Sequence, residues 1–533
     1  LGDGASWVDG LVARGRARTW DLLFWVTALA TAAPLVAVRH PPFTDLPEHV
    51  AAIATLARML GGGGDAPYEV AVGQSQYFLY HLAGAVMTRL LGDAITAHRV
   101  LLGVVALLWP LSLRALLRAL GRDERIAIFG AMLVYNRALL IGFVPFVASV
   151  PLAVFGLVLV LRQLEAPRVG RAVLLGILAV ASFYTHLSTF VLFVLCAAGL
   201  AVAHGAKERS LTTSLSSLVP LVPSLAAMAM WWQRTSLVDA DHQEQVRRIP
   251  IEASLSAMPL WTFDLWRSHV DEVCAVIWWT SCGIILAQSL RRDVTPAGAF
   301  ALIPFACAVG LFVATPHYVG TTGFLGLRLA PVVVLFALPG LARVERRIGA
   351  LALVAAGIAG IVTAANAGFE MRRIEREHVG DLDALLSRIP PGSRLVTLNF
   401  ETTSRRTPLW PYIFVGSYHR VKNGGIASYS FTEMAHWPVH YRPGWEPPRR
   451  RPFWIYTPCV YRYREDGEYY DYVLVQGRRD PFAEPVPGPK FVPVARSGKF
   501  TLYAKADAPS DDVSPDRGPC PNDAASGSLR PAE

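Results

Sequence analysis

Residues 41–49 read Pro-Pro-Phe-Thr-Asp-Leu-Pro-Glu-His, so Asp45, Glu48 and His49 fall within five positions, just after the first long apolar run. Ionisable groups at the edge of a bilayer are costly, and those found there usually do chemistry or bind charge. A carboxylate at such a boundary can act as a general base towards an acceptor hydroxyl or amine. It can also help to hold a divalent cation on a phosphate leaving group. Pro41, Pro42 and Pro47 stiffen the segment and fix the direction of the carboxylate. The same acids also suit a helix start, with Asp45 as N-cap and Glu48 in the first turn. The two roles can coexist.

A second set of polar groups stands near the ends of later apolar runs: Asn136 and Arg137, His186, His317 with Tyr318, and Arg328 after a Gly-rich turn at 320–326. Arginine suits phosphate because its planar fork donates two parallel hydrogen bonds. Several such groups around one pocket would stabilise a departing lipid phosphate. Taken singly, each also suits an interfacial anchor that snorkels to the headgroups. The 233–269 loop and its leading edge carry Trp231, Trp232, Trp261, Asp264, Trp266, Arg267 and His269. Aromatic faces beside carboxylates fit sugar stacking and hydroxyl recognition, with Asp264 a candidate second acid. Tryptophan is equally the ordinary interface residue. No P-loop, Gly-x-Ser-x-Gly or His-Glu-x-x-His motif occurs, and no Cys-x-x-Cys spacing points to a structural metal.

These groups must be positioned by membrane helices. The chain has 533 residues, 53% of them hydrophobic, and a mean hydropathy of +0.36. Its apolar runs at 20–38, 95–117, 126–140, 143–161, 173–184, 187–203, 215–232, 274–290, 297–313, 327–341 and 351–365 predict about eleven spans. The 173–203 stretch also reads as one long tilted helix. The net charge of +9 collects in clusters between runs, at 14–18, 114–125, 162–171, 207–209, 291–292 and 343–347. That is the positive-inside pattern and not a nucleic-acid footprint. With residues 1–19 cytoplasmic, every basic cluster falls inside, and Asp45, Arg137, His186, the 233–269 loop, His317 and the C-terminal region fall on the outer face.

This topology keeps 76–92 from crossing. That segment and 48–60 read as amphipathic helices in the interface plane within a first outer loop at 39–94, joined by a flexible Gly61–Gly64 hinge. The transmembrane domain is expected over 20–369. After it, the composition shifts to a soluble extracytoplasmic domain over 370–505, either α/β or mainly β. A short helix is expected at 382–389 and extended runs at 393–400, 411–418, 453–456, 470–476 and 491–504. Residues 506–533 read as a disordered tail. Cys196, Cys274, Cys282 and Cys307 lie in apolar sequence; Cys459 and Cys520 lie in polar sequence and could pair in an oxidising compartment.

The layout over about 20–370 resembles the GT-C superfamily of integral-membrane glycosyltransferases, which includes protein O-mannosyltransferases and lipid A aminoarabinose transferases. It shares a first span, an outer loop with an acidic motif and in-plane helices, and many further spans before an outward C-terminal domain. The resemblance implies a polyprenyl-phosphate-linked sugar donor. It matches Asp45, in Thr44-Asp45-Leu46-Pro47-Glu48, to the family's first-loop catalytic Asp. Glu48 matches its acidic neighbour only loosely, because the family often has the two acids adjacent. Arg328 matches a phosphate-binding basic residue near a later span.

The leading reading is inverting glycosyl transfer on the extracytoplasmic face of an inner (plasma) membrane. Asp45 and Glu48 are the catalytic candidates; His49, Arg137, His186, Asp264, His317, Tyr318 and Arg328 are the substrate-binding candidates. The partners are a polyprenyl-phosphate sugar, a glycan, lipid or protein acceptor, and membrane lipids, with no nucleic acid. A divalent cation, Mg2+ or Mn2+, is an open option, and no nucleotide cofactor is expected. The alternatives are a transporter or flippase of lipid-linked or anionic substrates, and a non-catalytic membrane scaffold.

Overall fold

The computed structural model describes residues 3–73, 75–238, 246–289, 296–319, 322–341, 344, 347–434, 436–448, 457–509 and 519. The expected strand at 453–456, the arginines at 291–292 and nearly all of the expected disordered tail lie outside them. The chain divides into two compact units: Leu1–Ala37, Val100–Leu139 and Val144–Gly368 form one, and Val38–Arg99, Leu140–Phe143 and Phe369–Glu533 form the other. The first loop thus groups with the C-terminal region and not, as the sequence suggests, with the spans on either side of it.

The first unit is helical. Among the described residues of both units, seven helices are long and apolar enough to cross a membrane, and four more are apolar but shorter. Val169–Thr185 and Leu187–Glu208 are two helices, so 173–203 is not one tilted rod. His186 makes the break: its backbone is extended (φ −167°, ψ 127°), and its Nδ1 accepts from the Ser188 amide at 3.2 Å.

The expected span at 126–140 is not one helix. It is a 3-10 turn at Glu124–Ala127 followed by two five-residue helices, Ile128–Met132 and Arg137–Ile141. Asn136, fully buried, satisfies the backbone groups freed at the break. Its side-chain amide donates to Leu133 O at 2.8 Å and Val134 O at 3.2 Å, and its Oδ1 accepts from Leu139 N at 3.1 Å. Broken helices persist at membrane depth where such partners exist. The 233–269 loop contains a helix, Ile251–Phe263, that its composition did not announce.

The second unit is α/β. Its five-stranded sheet runs Ile426–Ala427, Arg394–Asn399, Tyr472–Gln476, Phe500–Pro509 and Pro489–Ser497 in spatial order. The first three strands are parallel and the last two join antiparallel. Buried Val396, Leu398, Val473 and Val475 line one sheet face with Tyr461, Tyr470 and Tyr503. The apolar run at 411–418 is not extended. It forms turns that lead into the helix Ser417–Asn423, with Tyr412 in the left-handed region (φ 62°) and its hydroxyl donating to His40 O at 2.6 Å.

The first loop completes this unit. Tyr68–Val70 pairs antiparallel with Val439–Tyr441. Leu46–Leu60 is buried from Leu46 to Ala57, so it is a core helix and not one lying on an interface. Ala52, Leu56 and Tyr68 share one apolar cluster with Ile413, Phe414, Trp437 and Val439. Within the Gly61–Gly64 stretch, Gly62 and Gly64 take positive φ (75° and 64°), as a tight turn requires.

Candidate functional site

Asp45 lies in the second unit at the N-cap of Leu46–Leu60, half-buried, with φ −87° and ψ −5°. Its carbonyl accepts from Glu48 N at 3.1 Å and His49 N at 3.4 Å, which starts the helix. Its side chain makes no capping hydrogen bond. The backbone here is clamped: Thr44 N donates to Leu140 O at 3.2 Å and Asp45 N to Ile141 O at 2.8 Å. Gly142 (φ 99°) makes that approach possible, because a Cβ there would stand 2.7 Å from Asp45 N. Thr44 Oγ1 donates to Trp410 O at 3.3 Å.

Glu48 has a different occupation. It is fully buried, and both its oxygens are engaged by the C-terminal region. Ser417 Oγ donates to Oε1. Oε2 accepts from Ser430 Oγ at 2.8 Å and Phe431 N at 3.0 Å, and Arg420 Nη1 stands 3.4 Å away. Arg420 is equally buried, donates to Ser430 Oγ at 2.5 Å, and lies 4.6 Å over the Tyr68 ring. Burial pushes the Tyr68 hydroxyl up to about 12, so it stays protonated and donates to Gly425 O at 2.7 Å. Glu48 is therefore placed as a strut three residues beyond Asp45. His49, expected near substrate, is buried with its Nδ1 2.9 Å from His81 Nε2 and its ring 5.0 Å from that of Trp437.

The remaining candidates all lie in the first unit, and the structure links them in one series. Arg137 Nη2 meets Asp264 Oδ2 at 2.5 Å, and its Nε donates to Asp264 O at 3.0 Å. Asp264 ends the helix Ile251–Phe263, whose Trp261 stacks on His317 at 5.8 Å. His317 contacts Tyr318 at 4.8 Å and Phe324 at 5.5 Å. Phe324 O accepts from Arg328 N at 3.3 Å. The Arg328 guanidinium reaches His186 Nε2 at 3.3 Å and donates to Gly323 O at 3.0 Å. Burial lowers the His317 pKa, which favours its uncharged imidazole.

Sequence reasoning missed the residues that hold these candidates. Asp271 Oδ2 accepts from Leu265 N at 2.6 Å and Trp266 N at 3.0 Å, pinning the turn that carries Asp264. Arg420, Ser417 and Ser430 engage Glu48 across up to 382 residues of sequence, and no local pattern announces that. Among the described residues, no three His, Cys, Asp or Glu side chains are grouped to hold a metal ion. Cys459 is disulfide-bonded; Cys520 lies outside the described residues.

No family model matches the chain, and no curated protein matches it. Solved structures do. The cryo-EM structure of arabinofuranosyltransferase AftD from Mycobacteria superposes with a TM-score of 0.55 and 15% identity over 91% of this chain and 40% of that one. The crystal structure of ArnT from Cupriavidus metallidurans in the apo state gives 0.53 and 14%, over 92% of this chain and 98% of that one. The chain thus spans about two fifths of the AftD chain and nearly all of the ArnT chain. The chain shares the fold of these two solved structures, the fold that the resemblance implied.

Proposed function

We propose that the protein is a membrane glycosyltransferase that moves a sugar from a polyprenyl-phosphate donor to an acceptor on the extracytoplasmic face. The observation that carries this reading is a carboxylate, Asp45, held on a clamped backbone at the acidic first-loop position of a GT-C fold. Asp45 takes the proton of the acceptor hydroxyl or amine. The freed lone pair forms a bond to the anomeric carbon from the side opposite the phosphate. The bond from that carbon to the phosphate oxygen breaks, its electrons stay on the lipid phosphate, and the configuration inverts. Phosphate leaves readily, so no strong general acid is needed.

Arg328 and Arg137 are the groups suited to the departing charge. Each is oriented beforehand, by His186 and Gly323 O in one case and by Asp264 in the other. Glu48 is a positioning residue: it fixes the helix that begins at Asp45.

The test is release of free polyprenyl phosphate from a panel of polyprenyl-phosphate sugars by the purified protein, compared with Asp45→Asn. Release that falls about 100- to 10,000-fold in a variant with unchanged melting temperature supports the base assignment. No release from any donor, with lipid binding equal in both proteins, returns the fold to a transporter or scaffold.

A further inference from the structure

A cavity of about 580 Å³ opens within the second unit, and Asp45 is not among its lining residues. Its charged lining is Arg39, Arg58, Arg89 and Lys422, against Asp93 and Asp383. Three of the four cations are set in place by the protein. Arg58 is held by Asp65, Nε at 2.9 Å and Nη2 at 2.5 Å, and by the carbonyl of Arg420 at 3.1 Å. Arg39 Nε donates to Asp383 Oδ2 at 2.7 Å, and Lys422 Nζ to Asp383 O at 2.5 Å. Arg89 is exposed and has no carboxylate partner among the described residues. Its guanidinium lies over Gly61, where a Cβ would stand 2.6 Å from Nη1. The missing side chain at Gly61 is what leaves Arg89 room beside the cavity.

Two observations specify the ligand. Positive groups outnumber negative ones in the lining, and arginine forks facing an open space of this size fit a phosphate-bearing headgroup. Ala94 and Ile95 also line the cavity, and they begin Ala94–Ala119, one of the helices long and apolar enough to span. Val86, Leu90 and Leu91, beside Arg89, are exposed at 47%, 78% and 48%. An apolar edge next to an arginine, at the mouth of a spanning helix, is the signature of the headgroup level of a bilayer. We propose that this cavity binds the phosphate headgroup of an anionic membrane lipid. Basic pockets at helix mouths select such headgroups by charge.

The test uses the full-length protein in neutral detergent, titrated with dioctanoyl phosphatidic acid, dioctanoyl phosphatidylcholine or inorganic phosphate, with binding read by thermophoresis. Phosphatidic acid is expected to bind at least about tenfold more tightly than either of the others, and less tightly as salt rises. Arg89→Gln/Lys422→Gln is expected to weaken it about tenfold or more while the unliganded melting temperature holds, because both side chains are exposed. Gly61→Ala, which crowds the Arg89 guanidinium, is expected to weaken it by a smaller factor. Equal affinity in wild type and the double variant overturns the site. Inorganic phosphate binding as tightly as the lipid overturns the lipid as its source. No sugar donor is present, so Asp45→Asn must bind phosphatidic acid like wild type whether or not the transferase reading stands.

Discussion

The two units hold their charged groups differently. In the second unit, Glu48 and Arg420 are both fully excluded from solvent, and four donors converge on one carboxylate. In the first unit, Arg137 and Asp264 keep 19% and 15% of their side chains accessible, and the linked series runs through rings and backbone carbonyls. A fully buried pair is costly to assemble and still costlier to break, so it suits a fixed architectural joint. A partly accessible pair can exchange partners with a ligand at small cost. The contrast fits the architectural role proposed for Glu48 and the ligand contact proposed for Arg137.

The largest effect should come from removing one half of the buried pair. Glu48→Ala leaves Arg420 charged and unpaired and should destabilise the second unit by about 3–5 kcal/mol. Denaturant unfolding followed by the tryptophans of that unit reads this, and Glu48→Ala/Arg420→Met should recover part of it. Full recovery of donor turnover in the double variant would confine Glu48 to architecture; turnover still absent in a refolded double variant would bring it back into the chemistry.

Acid should act on the same unit next. Burial pulls the His419 imidazole down to about 4; its Nε2 donates to Ser393 O at 2.8 Å and its Nδ1 accepts from Asn423 at 3.2 Å. Between about pH 6.5 and 4 the unfolded chain takes up a proton that the folded imidazole refuses, so stability falls on acidification, by up to about 3 kcal/mol. His419→Gln should make that slope shallower in a pH series of unfolding midpoints. An unchanged slope would place the acid sensitivity elsewhere.

Gly142→Ala should cost about 1–3 kcal/mol, because it forces a side chain into positive φ and against the Asp45 amide. Its mark is donor turnover falling more than stability does. At the small end, Asp264→Asn should shift stability by no more than about 1 kcal/mol. A penalty as large as that of Glu48→Ala would erase the distinction between the two pairs.

How much of this was legible varied with sequence distance. Most spans follow from apolar runs, because burial in lipid needs only composition over a window. The break at Asn136 is a single polar residue inside such a run, and window averaging hides it. Asp45 stood out through its neighbours. Its strut did not, because Ser417 and Arg420 lie 369 and 372 residues beyond Glu48. The sheet strands at 394–399 and 472–476 announced themselves by Val and Leu, whereas the equally apolar 411–418 is bent by packing onto His40, a contact 372 residues away.

The distance from Glu48 to Ser430 also sets a clock. At about 5–20 residues per second, a ribosome needs roughly 20–80 s to make the 382 residues between them. Throughout that interval the first loop has been made, but its acid has no serine or arginine to receive it. A protein built this way must keep an unmatched carboxylate and an unpaired strand, Tyr68–Val70, from finding the wrong partners while the helices between are still being inserted. Biogenesis, more than the finished fold, is where this chain is vulnerable to a stall.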